Sequence, residues 1–179
     1  MNCKITNING MTQNDTQWGE NARHEATGKG KTLCSDGFIH FYEDELLAVF
    51  MNPAHGNFKP MRLWQFEPEG EIITDGSKSG CKAGRTIKEI PIPEITTEQR
   101  VEIAIRCALP ICKNTKWLEW ANKWLSGEDR TTESAYAASA AAYAASAADA
   151  AYASYAAYAA SAAEKGINIL SIIKEVIHA

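Results

Sequence analysis

Through the first 93 residues, apolar side chains fall in short or alternating runs separated by clusters of Gly, Asn, Asp and Pro. That alternation predicts strands at Phe38–Glu43, Met61–Glu67 and Thr86–Ile92. One run departs from it: Asp44–Asn52 carries Leu46, Leu47, Val49 and Phe50 at helical spacing, and Pro53 is expected to end it. Pro91-Ile92-Pro93 cannot propagate a helix and makes a natural joint.

Beyond that joint the pattern is helical throughout. Thr96 with Gln99 three residues on reads as a capping box, Val101, Ala104, Ile105 and Ala108 share one face, and Pro110 stops the helix. A second helix spans roughly 114–126, with Trp117, Trp120, Ala121, Trp124 and Leu125 on one stripe and Gly127 at its C-terminal end. The tryptophan stripe is expected to pack in a core rather than to form a ligand cage. AYAASAA then occurs verbatim at 135–141, 142–148 and 157–163, predicting a helix from Thr131 to Lys165 about 50 Å long. Its alanine ridge, including Ala145 and Ala156, is smooth enough for close helix approach, so pairing with a second copy of the chain is expected. After Gly166, Ile169, Ile172, Ile173, Val176 and Ile177 give a last amphipathic helix. The fold class is α+β: a β-rich domain over 1–93, the candidate ligand-binding unit, and a helical domain over 94–179 for packing and oligomerisation.

Composition narrows the function more than it names one. The 179 residues are 45% hydrophobic, a share inflated by 19 alanines among the 29 residues from Ala135 to Ala163. Ten basic and twelve acidic residues up to Pro93, then eight and ten, give each half a charge of −2. Neither half has the basic face that duplex DNA requires, so no direct duplex binding is expected. Five cysteines without a CxxC pair, and a polar stretch from Met1 to Gly10, suit a reducing cytoplasm and argue against secretion. The alanine stretch holds too many Tyr and Ser, and too little Leu and Ile, to be a membrane span.

Candidate chemistry is sparse. Gly28-Lys29-Gly30-Lys31-Thr32 ends like a phosphate-binding loop, but Glu25 stands where that motif needs glycine, so a flexible hairpin tip is expected. His24, His40, His55 and Cys34 match no compact zinc spacing, and no metal or cofactor is expected. On a strand, Phe38, His40 and Tyr42 point to one side and Ile39 and Phe41 to the other. The first set would make an aromatic pocket with a polar handle, to which Trp18, Arg23, His24 and Trp64 could contribute. Tyr42, Trp18 or Trp64 would stack on a base, His40 would hydrogen-bond, and Arg23 would meet a phosphate.

Several runs carry a resemblance: Trp18-Gly19-Glu20-Asn21, Leu33-Cys34-Ser35 with Gly37-Phe38-Ile39-His40, Leu46-Leu47-Ala48-Val49 with Asn52-Pro53 and His55, and Trp124-Leu125-Ser126-Gly127 before the alanine repeats. They resemble a family of small phage and prophage proteins, often described loosely as immunity proteins. The resemblance implies a phage-encoded counter-defence role in the host cytoplasm, exercised by binding. The protein would sequester a nucleotide-derived immune signal as a sponge, or block a host defence protein in the manner of an anti-CRISPR. More faintly, Gly37-Phe38-Ile39-His40 and the Leu47-Ala48 helix resemble ADP-ribosyltransferase-like domains, although no catalytic His or Glu stands in the matching places. The alternatives are therefore such an enzyme, or an immunity or structural protein acting through its alanine helix. The absence of a recognisable catalytic set favours binding.

Overall fold

Two long strands organise the N-terminal half. β4 (Met61–Thr74) and β5 (Ser79–Ile90) form an antiparallel hairpin with bulges between Trp64 and Phe66 and between Glu69 and Ile72. In this computed structural model the described residues are 1–131, 133–134, 163 and 165–179. The expected long alanine helix, and the self-pairing ridge on it, lie outside them.

β1 (Cys3–Asn7) adds to β4, with Lys4 opposite Trp64. β2 (Arg23–Glu25) and β3 (Ile39–Phe41) share the free edge of β5, opposite Ala83–Arg85 and Ser79–Cys81 respectively. Cys3 and Tyr42 exchange backbone hydrogen bonds of 2.8 Å, so the pairing path β1–β4–β5–β3 returns to its start. β2 and β3 both pair with β5 and not with each other. The glycine-rich segment between them links two strands on one edge of β5 and closes on itself, the Gly28 N–H donating to the Asp36 carbonyl at 3.2 Å. The Asp36 carboxylate accepts from the Gly30 N–H at 3.0 Å and holds the segment in a tight loop.

Alternation gives the sheet two apolar faces. One carries Phe41, Phe66 and Cys81, on which Trp18 of the 8–37 segment packs. There Phe66 lies over Gly84, where an added Cβ would come within 2.2 Å of the ring. Cys3, Ile5 and Leu63 belong to the other, which is covered by helices. α1 (Glu45–His55) starts at Asp44, whose carboxylate accepts from the Leu46 N–H at 2.9 Å. It does not stop before Pro53 as expected. Pro53 has no N–H to return to the Val49 carbonyl, and the Arg100 guanidinium donates to that carbonyl at 3.4 Å instead. The helix gains a final turn, ending on His55.

α2 (Thr97–Ala108) has the expected capping box at Thr96 and Gln99. α3 (Thr115–Ser126) runs from an Asn114 cap to Gly127, which takes the left-handed conformation at φ 79°. α4 (Ile169–Ile177) closes the chain. The largest core gathers Ile103 and Cys107 of α2 and Ile169, Ile173 and Val176 of α4 onto Leu47–Met51 and the sheet. Apolar packing therefore crosses Pro93 without a break. Trp124 and Ala121 are buried on Ile105, and half-buried Trp117 and Trp120 pack beside them at the edge of this cluster. The fold is α+β, an antiparallel sheet followed by helices. Thr86–Ile92 proves to be mostly the second half of a longer strand, and β1 and β2 were not marked by the pattern. No helix among the described residues is long and apolar enough to cross a membrane.

Candidate functional site

A cleft of about 580 Å³ opens between the 12–36 segment, β3 and the C-terminal end of α1. That volume falls in the range of small-molecule sites. Of the six residues expected to bind a ligand, Trp18, His24, His40 and Tyr42 line it, and Arg23 and Trp64 do not. Lys4, His55 and Lys78 line it as well.

The four lining residues play different parts from those their chemistry suggested. Trp18 is only 2% exposed, too little to offer a ring face to a base. The Lys4 ammonium sits 4.5 Å from its ring centre, and the His24 and Phe66 rings meet it edge-on at 4.5 and 5.8 Å. Trp18 is the back wall. Tyr42 is also buried, and its hydroxyl lies 3.0 Å from His55 Nδ1. Half-buried His24 and His40 are the accessible rings.

Hydrogen bonding fixes the proton positions. His24 Nε2 donates to the Gln17 carbonyl at 2.8 Å, and His40 Nε2 donates to the Leu33 carbonyl in a short contact. Burial, reinforced by the Lys78 and Lys4 charges, lowers His40 below the usual imidazole range despite that contact. Burial and then Lys78 push His55 down to about 4, so both imidazoles are neutral at neutral pH. Burial raises the Tyr42 phenol, which keeps its proton. That proton has no other acceptor among the described residues, so Tyr42 donates to His55 Nδ1 and the His55 proton resides on Nε2.

Lys4 is the residue that sequence reading missed. It is 6% exposed, donates to the His40 carbonyl at 2.7 Å, and has no carboxylate within 4.0 Å among the described residues. Burial lowers it to about 8. Its signal was faint: a lone lysine alternating with Cys3 and Ile5 in a segment that did not read as a strand. His55 was masked by the expected stop at Pro53.

Arg23 and Trp64 are engaged elsewhere. The Arg23 guanidinium grips Glu69 through Nε at 3.1 Å and Nη2 at 2.7 Å on an exposed part of the β2–β5–β4 sheet. Trp64 is buried, donates from Nε1 to Thr6 Oγ1 at 3.0 Å, and is covered by Arg62 at 4.4 Å. Among the described residues no three His, Cys, Asp or Glu side chains are placed to hold a metal ion.

Together these features define an α+β module with a histidine-lined cleft at the edge of a small antiparallel sheet. The chain belongs to the DUF7666 family, a domain of unknown function, whose model matches residues 3–98. Every residue lining the cleft falls inside that span. No curated protein and no solved structure matches the chain significantly.

Proposed function

We propose that the protein acts by binding, and that the cleft takes a small nucleotide-like ligand. The observation that carries this reading is the convergence of His24, His40 and His55 with a buried Tyr42 on one cavity of about 580 Å³. The free nitrogens of these imidazoles offer donors and acceptors to a base edge or ribose, and the half-buried Phe58 offers an apolar side. The Tyr42 hydroxyl that meets His55 is buried and held protonated, which suits binding better than turnover. In the setting that the resemblance to small phage proteins implies, such a module sequesters a nucleotide-derived signal on behalf of an infecting phage.

The test is thermal denaturation across a panel of nucleosides, mononucleotides and cyclic dinucleotides. A ligand at 100 times its Kd adds about 2.7 kcal/mol, a shift of roughly 5–10 °C for a chain of this size. His40→Ala and His24→Ala are expected to remove the shift while moving the ligand-free midpoint little. A panel without any shift, or a shift that survives both substitutions, contradicts the reading.

A further inference from the structure

The cleft is unevenly charged. Among its lining residues the acidic Glu25 and Asp36 are exposed, whereas the basic Lys4, His40, His55 and Lys78 are buried or half-buried. The β3–β5 register accounts for the grouping. His40 stands opposite Gly80, so Lys78, two residues before Gly80, continues the same sheet face as His40 and Tyr42.

Lys78 is half-buried, yet its ammonium makes no hydrogen bond or ion pair among the described residues. The neighbouring Asp75 is ionised and acts on Lys78 through space, yet makes no direct ion pair with it. Asp75 Oδ1 accepts from Ser77 N at 2.8 Å, Ser77 Oγ at 2.7 Å and Lys78 N at 3.0 Å, so that carboxylate is committed to the turn. Burial alone would raise the Asp75 carboxyl, and these hydrogen bonds hold it below its usual range. Arg62, Lys82 and Lys174, by contrast, each face a carboxylate within 4.0 Å. Two cations without carboxylate partners and two imidazoles thus share one partly enclosed space.

We infer that this basic cluster is an anion subsite, in which Lys78, His40 and His55 receive a phosphate or pyrophosphate group of the ligand. The inference rests on the cleft being a ligand site, and it moves phosphate recognition from Arg23, already forked onto Glu69, to the far side of the sheet edge. Lys78 supplies the fixed charge. The imidazoles are neutral because burial and Lys78 disfavour their charged forms, and a bound dianion reverses that balance. Binding then takes up a proton, and affinity rises as pH falls. The other titratable groups around the cleft are Lys4 on β1, His24 and Glu25 on β2, Cys34 and Asp36 in the connecting loop, and Asp75 in the turn.

Inorganic pyrophosphate tests this directly by calorimetry on the full chain. After allowance for pyrophosphate's own protonation in this range, binding is expected to tighten roughly tenfold between about pH 7.5 and about pH 5.5, with proton uptake by the protein seen as a dependence on buffer ionisation heat. Lys78→Met is expected to weaken it at least about tenfold, and His55→Gln to flatten the pH dependence while keeping binding. Histidine C–H resonances of the wild type give the same answer without a variant, since pyrophosphate should raise the titration midpoints of His40 and His55. Pyrophosphate that fails to bind, or binds equally to Lys78→Met, overturns the anion subsite even if nucleosides stabilise the protein. Pyrophosphate that binds as expected, beside nucleosides and nucleotides that shift nothing beyond it, sustains the subsite and overturns the nucleotide reading.

Discussion

Lys4 and His55 are the two residues whose protonation the fold disturbs most usefully, and both leave a trace in stability. An unfolded lysine titrates near 10.5 and Lys4 near 8, so between those values the folded state binds fewer protons than the unfolded one. The Lys4 contribution to stability therefore rises as pH rises from about 8 toward 10.5, by up to about 3 kcal/mol, while the buried Cys3 and Cys107 thiols, pushed up to about 12, work the other way. The difference between wild type and Lys4→Met in urea denaturation across the window should isolate the Lys4 share. His55 works lower on the scale. Its midpoint falls from 6.5 to about 4, so the folded state resists a proton that the unfolded state accepts. Stability is lost as pH falls from about 6.5 to about 4, again by up to about 3 kcal/mol. The difference between wild type and His55→Gln should isolate that share from the carboxylates that titrate nearby. The sequence made part of this site legible. Alternation within Gly37–Tyr42 put His40 and Tyr42 on one side, and both do line the cleft. Arg23 and Trp64 were assigned by chemical type alone, and type does not reveal that Glu69 and Thr6 already hold them.

At the scale of elements, caps and glycines carry the local information. Thr96 and Gln99 sit in a complete capping box, so Thr96→Ala should cost about 1 kcal/mol in chemical denaturation. Gly84 matters for a different reason, the Phe66 ring resting on its backbone. Gly84→Ala should cost about 1–3 kcal/mol by overpacking, and a cost near zero would mean that the ring moves aside freely. The four helices among the described residues were readable because each shows an apolar stripe at helical spacing, although the expected breaker Pro53 lies inside α1. The strands were harder. β1 does alternate, apolar Cys3 and Ile5 with polar Lys4 and Thr6, but the run is only five residues long and lies within a polar stretch that hid it. β4 continues past Glu67 through Pro68 and Gly70, residues that read as a turn but lie in the bulged, outer part of the hairpin.

Across the whole molecule the joint at Pro93 is a change of local structure within continuous packing. Cys3, Ile5 and Leu63 share a core with Ile103, Cys107, Ile169 and Ile173, all nearly inaccessible to solvent. A fragment of residues 1–98, the span of the family match, should therefore lack a cooperative thermal transition and expose apolar surface to a hydrophobic dye. Adding α2 through α4 is expected to restore the transition. A sharply melting, monodisperse 1–98 fragment would show instead that the sheet needs no helical cover beyond α1. The central claim concerns the cleft, and backbone amide spectra of the full chain titrated with AMP test it most directly. Shifts that saturate together and cluster at His24, His40, Tyr42, His55 and Lys78 are the predicted result. Saturable shifts confined to α2, α3 and α4, or none at millimolar AMP, would contradict it.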